Sequence, residues 1–398
     1  MKLTLKKAAI AAFIGFLGVT GLLTVTVNAI DVAKDAYTTL KDTYIANPGV
    51  KGALTGTIGG IENGFSQNVF GQNSFINLYG LTEKKLGKEY IIDVDSSYNI
   101  IKDNYGKLHF AAFKEDNSKA AEEIIELNKS LKDNGINMLY VQTPIKMIKN
   151  FTKLNPAIID YSNENSDKIV AQLRSGDVDV IDLRNLIDTA GIEKNRLFYN
   201  TDHHWTIETA FWGVSKVVEK IRTIYGVDLD PKRFYTDVKN YDVKLYEDNF
   251  LGSQGRRVGK YYGGVDDFSL ITPKFDTHYS VTINKRNKVE NLEGSFEESI
   301  INKEILEEKD MFTNRYVSYF GADYPEIIMK NHETDNDFKI LIVKDSFGIP
   351  FSAFISTMAG ETRMVDTRYY KEKSVKDYAL EYKPDLVIYV YRSIRTIQ

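Results

Sequence analysis

Cysteine is absent from the 398 residues. That removes disulfides, thiolate metal sites, iron–sulfur clusters and cysteine nucleophiles from consideration. Histidine is scarce: five residues leave little room for a histidine-rich metal site. An excess of one charge is lacking too. Lys and Arg number 51 against 55 Asp and Glu, so there is no electrostatic footprint for nucleic acid. Neither the GxSxG elbow nor the phosphate-loop spacing occurs, and no cofactor or metal is expected. A mostly disordered chain is excluded, because 43% hydrophobic residues build a substantial core. The length fits one large α/β domain or two ordinary ones. Oxygen nucleophiles, carboxylates and a few imidazoles remain to carry any chemistry.

One long apolar run interrupts this balance. Lys2, Lys6 and Lys7 precede an uncharged stretch from Ala8 to Ile30, which Asp31 ends. A secretory signal has an apolar stretch of about 7–15 residues and a spanning helix about 20. Ala8 to Val27 is 20 residues long with its basic flank on the cytoplasmic side. Residues 1–30 are therefore expected to form an uncleaved membrane anchor, with the rest of the chain extracytoplasmic. Val27-Asn28-Ala29 offers a signal peptidase small residues at alternate positions, so cleavage and secretion stay open as the alternative. Residues 31–75, rich in Gly, Asn, Thr and Ala, read as a stalk: a short helix over 31–46, then a flexible stretch around 52–56.

From residue 76 to 398 the pattern alternates strand and helix, as in one large α/β domain. Ala120, Ile124, Ile125, Leu127 and Leu131 give an amphipathic helix over 116–134. Strands are expected at 136–142 and 178–183, and a helix over 206–225 that stops at Gly226. Residues 227–335, rich in Tyr, Asp and Lys, read as an inserted α+β subdomain. Strands at 339–343, 362–365 and 385–391 then alternate with helices at 347–357 and 374–382. The runs Ile340-Leu341-Ile342-Val343 and Leu386-Val387-Ile388-Tyr389-Val390 do not alternate with polar residues. Such strands are buried on both faces, as in a mostly parallel sheet covered by helices on each side.

Two motifs sit where chemistry gathers. Thr201-Asp202-His203-His204-Trp205-Thr206 places two of the five histidines beside an aspartate, just before a helix. An imidazole acting as a base needs an acceptor that fixes its tautomer, and a carboxylate one residue away supplies it. The plainer alternative is a capped helix start whose histidines merely pack. Lys344-Asp345-Ser346-Phe347-Gly348 follows a buried strand and precedes a helix. Reacting groups collect at the carboxyl ends of strands, and free N–H groups there stabilise an oxyanion. Ser346 as a simple helix cap is the alternative. Together they supply a nucleophile (Ser346), a base (His204) and an orienter (Asp202). A third segment, Phe250-Leu251-Gly252-Ser253-Gln254-Gly255-Arg256-Arg257, is a candidate oxyanion or substrate loop through Gly252, Ser253 and Arg257. A glycine-rich surface turn explains it equally well. His203 is a neighbour or a substitute base, and Trp205, Tyr261 and Tyr262 are aromatic candidates for stacking on a ligand.

The Thr201–Thr206 motif resembles the signature of the bacterial DHHW family, which is related to the alginate O-acetyltransferases. Lys344–Gly348 resembles that family's nucleophile block. The resemblance covers roughly residues 65–398. It implies an SGNH-hydrolase-like fold with a circularly permuted motif order, and a triad carried by Ser346, His204 and Asp202. It further implies an extracytoplasmic O-acetyltransferase that passes an acetyl group through a serine acyl-enzyme onto hydroxyls of a cell-surface or secreted polysaccharide. A membrane-bound O-acyltransferase is the implied donor partner. The alternatives are a carbohydrate acetyl esterase and a non-catalytic envelope scaffold protein.

Overall fold

The computed structural model describes residues 2–285 and 288–393. The chain divides into two compact units, Met1–Tyr79 and Gly80–Gln398. The first begins with helix α1 (Lys2–Val27). Its stretch Leu5–Val27 is long and apolar enough to cross a membrane. At 1.5 Å per residue it spans about 35 Å, against about 30 Å of bilayer core.

Helices α2 (Ala29–Ala46) and α3 (Val50–Gln67) form a hairpin after it. The flexible stretch expected around 52–56 is therefore helical. Gly52, Gly56, Gly60 and Gly64 recur every four residues and are the buried residues of α3. A Cβ at Gly60 would lie 2.4 Å from the Ala36 carbonyl oxygen, and one at Gly64 2.4 Å from that of Val32. These glycines let two backbones touch, and the packing between the helices offsets their poor helix propensity. Helix α4 (Gln72–Lys85) follows.

The second unit continues with a small antiparallel sheet, β1 (Tyr90–Ile91), β2 (Ile100–Lys102) and β3 (Leu108–Phe110). Then come α5 (Ser118–Lys132), β4 (Asn137–Gln142), α6 (Ser162–Ser175), β5 (Asp179–Asp182) and α7 (Ile207–Tyr225). Thr206 caps α7 through the Thr209 N–H, and Gly226 closes it at φ 69°. A two-stranded ribbon, β6 (Tyr241–Phe250) and β7 (Asp266–Pro273), encloses the one-turn helices α8 (Gly255–Val258) and α9 (Lys260–Gly263). Strands β8 (Tyr279–Lys285) and β9 (Lys288–Gly294) and the short helices α10 (Phe296–Ser299) and α11 (Lys303–Glu307) follow. The chain continues through β10 (Glu326–Asn331), β11 (Lys339–Lys344), α12 (Gly348–Ile355), β12 (Glu361–Val365), α13 (Val375–Tyr382) and β13 (Leu386–Tyr391).

Eight strands form the main sheet in the order β5-β4-β13-β11-β12-β10-β8-β9. The first five run parallel and the last three antiparallel. Of residues 227–335, expected as an inserted subdomain, β8, β9 and β10 extend the main sheet, while β6 and β7 pair only with each other. Their burial alternates along β8, so one face packs and the other meets solvent, as antiparallel strands allow. In the parallel half, successive residues go to opposite cores. Ile340, Ile342, Ile388 and Val390 pack with α7 and α12. Leu341, Val343, Val387 and Tyr389 pack with α5, α6 and α13. That two-sided burial is why these strands are uniformly apolar.

Candidate active site

The parallel strands end on one edge, and the candidate residues collect there. Ser346 lies two residues beyond β11, immediately ahead of α12. The Asp345 carboxylate shapes that turn by accepting the N–H of Phe347 and of Arg392, each at 2.9 Å. Burial nevertheless pushes the Asp345 carboxyl up. The preceding Lys344 turns away from the site. Its ammonium is fully buried between Asp323 (2.5 Å) and Asp366 (3.1 Å), and Arg368 bonds the same two carboxylates. A buried lysine survives there because it is paired on two sides.

Ser346 Oγ lies 2.7 Å from His204 Nε2, and His204 Nδ1 lies 2.5 Å from Asp202 Oδ1. A chain of hydrogen bonds therefore joins residues 142 positions apart. Asp202 is 1% exposed. Burial alone would raise its carboxyl. The imidazoles of His204 and His203 and the Ser253 N–H hold it well below the ordinary carboxylate range, so it is ionised. His204 is stacked on Tyr316, centroids 3.8 Å apart and planes 9° apart. The Tyr316 hydroxyl accepts the indole N–H of Trp205 at 3.0 Å. Trp205 is itself fully buried, so it holds Tyr316 in place behind the imidazole and does not stack on a ligand.

The turn carrying Asp202 is fixed from below by two buried charges. Asp266 accepts the N–H of Asn200 and the N–H and hydroxyl of Thr201 at 2.6–2.7 Å. The three N–H groups of Lys146 are shared among four acceptors: the carbonyls of Leu108 (2.6 Å), Asn200 (3.0 Å) and Asp202 (2.8 Å) and Gln254 Oε1 (3.1 Å). Burial, with Lys107 nearby, pushes the Lys146 ammonium down to about 7.

The loop after β6 does a different task from the one its glycines suggested. The Gly252 N–H is already given to Thr201 Oγ1 at 2.9 Å, so it is not an oxyanion donor. Ser253 donates its N–H to Asp202 Oδ2 at 2.6 Å, and its hydroxyl meets His203 Nδ1 at 2.7 Å. Arg257 pairs with Asp93 at 2.8 Å and covers the Tyr98 ring at 3.7 Å. The loop thus buttresses the carboxylate and the site wall. The Ser346 N–H, by contrast, has no partner among the described residues and adjoins the nucleophile.

A cavity of about 580 Å³ opens over Ser346 and His203. Tyr98, Phe110 and Phe113 form its aromatic wall, and Arg368, Lys371 and Arg392 its basic one. Tyr261 and Tyr262 do not line it. Sequence reasoning missed Tyr316, Lys146 and Asp266. Tyr316 is one of 25 tyrosines and carries no local signal; Lys146 lies two residues after Pro144 in a short loop whose burial only the fold reveals.

Asp202, His203 and His204 also place ligand atoms within 4.8 Å of one another, the one such group among the described residues. Asp202 Oδ1 and His204 Nδ1 already bond each other, and His204 Nε2 meets Ser346. The donor set is therefore satisfied as a proton relay and does not converge on a cation.

Comparisons with known proteins bear on the domain and the fold. Residues 109–244 match the family model described as SGNH hydrolase-like domain, acetyltransferase AlgX. No curated protein matches the chain. The solved structure of Bacillus cereus PatB1 is 23% identical with a TM-score of 0.61, covering 75% of this chain and 99% of that one. A second structure of that protein carries a sulfonyl adduct, with a TM-score of 0.60. A DHHW family protein from Eubacterium siraeum is 15% identical with a TM-score of 0.55, covering 76% of this chain and 92% of that one. The fold is thus SGNH hydrolase-like, and the resemblance carried by Thr201–Thr206 and Lys344–Gly348, to the DHHW family and its acetyltransferase relatives, holds for domain and fold.

Proposed function

We propose that this chain is an extracytoplasmic serine O-acyltransferase that moves an acetyl group onto hydroxyls of a cell-surface or secreted polysaccharide. The observation that carries the reading is the Asp202–His204–Ser346 hydrogen-bond chain, set at the strand ends of an acetyltransferase-type domain. Ionised Asp202 holds His204 with its free Nε2 toward Ser346. His204 takes the Ser346 proton as Oγ bonds the acetyl carbon of the donor; the bond from that carbon to the donor's leaving group then breaks, and His204 passes the proton to that group. The Ser346 N–H stabilises the tetrahedral oxyanion, a donor of a kind worth about 2.7–4 kcal/mol. His204 then deprotonates the acceptor hydroxyl, which displaces Ser346 from the acyl carbon.

Helix α1 supports a membrane-held enzyme facing outward, or a secreted one if the segment is cleaved. A membrane-bound O-acyltransferase suits the supply of acyl groups across the bilayer. A carbohydrate acetyl esterase is the second reading, since the same relay would serve water as acceptor. The test is turnover of an activated acetyl ester, with acetyl transfer to polysaccharide followed alongside hydrolysis. Ser346→Ala should abolish both. Persistent turnover refutes the serine mechanism, and hydrolysis with no transfer under any donor favours the esterase.

A further inference from the structure

His203 has no part in the proton relay, yet it stands beside it. Its ring lies against the His204 ring, centroids 3.8 Å apart. It lines the same cavity as Ser346. Its side chain keeps 24% of its surface exposed where His204 keeps 7%. Nδ1 is committed to the Ser253 hydroxyl at 2.7 Å, and that serine is itself held by Asp202. Nε2 meets no protein group among the described residues. One ring nitrogen is thus tied to the protein and the other left for a ligand.

The close approach of the two rings also sets the charge. His204 takes up a proton in each half-reaction, and a second cation at 3.8 Å would oppose it. Burial and the charge on His204 push the His203 imidazole well down. Asp202 at 3.7 Å acts the other way, and Arg392 and Lys146 add to the lowering. A neutral imidazole carries one N–H. When the Ser253 hydroxyl donates to Nδ1, that hydrogen sits on Nε2.

We propose that His203 determines acceptor specificity: its Nε2–H hydrogen-bonds a second oxygen of the acceptor, beside the hydroxyl that attacks. The inference rests on the acyl-enzyme reading of Ser346. In the transfer step the attacking hydroxyl loses its proton to His204 Nε2 as its oxygen bonds the acyl carbon. The bond from that carbon to Ser346 Oγ then breaks, and His204 returns the proton to Oγ. Water can enter the same step but brings no second oxygen. A vicinal diol, as on a sugar ring, brings one. Losing a single such hydrogen bond is worth about tenfold in selectivity.

The experiment uses the full chain with p-nitrophenyl acetate as donor and glycerol or ethanol, each in excess, as acceptor. Acetyl partition among glycerol, ethanol and water is measured. Wild-type enzyme should favour glycerol over ethanol beyond the ratio of their hydroxyl counts. His203→Leu should cut that preference about tenfold. His203→Gln, which keeps an N–H at similar reach, should retain most of it, and Ser253→Ala, which frees the tautomer, should fall between. A wild-type enzyme without the preference overturns the proposal, as does a folded His203→Leu that keeps it. Ser346→Ala separates the two levels. If it is inactive while His203→Leu partitions like wild type, only the His203 role falls. If it still transfers acetyl, the acyl-enzyme reading falls and this inference with it.

Discussion

Substituting Gly252 by alanine tests how tightly the site is built. An added Cβ would lie 2.2 Å from the Asp202 Cβ and 2.6 Å from both its Cα and Oδ2. Carbon atoms prefer about 3.5–4.0 Å, so something must move by more than about 1 Å. Neither side can retreat freely. The Gly252 N–H is bound to Thr201, and its carbonyl accepts the Arg256 N–H at 2.8 Å. Asp202 is bound through its carbonyl to Lys146 and through its carboxylate to His204 and Ser253. Overpacking of this kind costs about 1–3 kcal/mol of stability. A catalytic group misplaced by about 1 Å loses about 10²-fold in rate. The assay is steady-state hydrolysis of p-nitrophenyl acetate, with thermal unfolding measured on the same preparation. Gly252→Ala should fold with a lowered Tm and lose about 10²-fold in kcat, with KM much less affected. A folded variant with wild-type kcat would refute both the close approach and the claim that Asp202 must stay in place.

Three further outcomes follow from the same geometry. Asp202→Asn should preserve the fold but leave His204 in the wrong tautomer, lowering kcat by about 10⁴-fold, as in other Ser–His–Asp enzymes; a loss below tenfold argues against the relay. Lys146→Met removes the donor shared by three carbonyls and should cost about 1–3 kcal/mol in urea unfolding along with much of kcat. The third outcome concerns acid stability. Burial acts to raise the Asp323 carboxyl, but Lys344 and Arg368 hold it down to about 2. Its folded value lies below its unfolded one, so the stabilisation, about 2 kcal/mol, is full above about pH 4 and is lost as pH falls toward 2. Asp345, pushed up by burial, acts with the opposite sign, so the measurement compares variant with wild type over that window. Asp323→Asn should be less stable than wild type at pH 7 by urea midpoint and should lose less between pH 4 and 2. Parallel acid limbs would show that the cluster contributes no pH-dependent stability.

The sequence alone determined features that depend on near neighbours. The uncharged run from Ala8 to Ile30 defined a helix of spanning length, because composition and length suffice for that. Unbroken apolar runs at 340–343 and 386–390 announced strands buried on both faces. Thr206 and Gly226 marked the ends of α7 through local backbone chemistry. Asp202 and His204 meet across two positions, so their pairing was legible too.

Tertiary structure decided whatever depends on distant segments meeting. It brought Ser346 to His204 across 142 positions. It set Tyr316 behind the imidazole and Lys146 beneath the Asp202 turn, though neither residue type nor spacing marks them. It turned Gly252 from a supposed oxyanion donor into a spacer, because only the fold shows that its N–H is taken and that Asp202 fills the room a Cβ would need. It joined residues 279–331 to the main sheet, since antiparallel edge strands owe their place to pairing partners far away in the chain. The glycines of α3 fall between the two cases. Their four-residue spacing was in the sequence, but whether it meant a loose stalk or a tight helix contact depended on α2 lying against them, backbone to backbone.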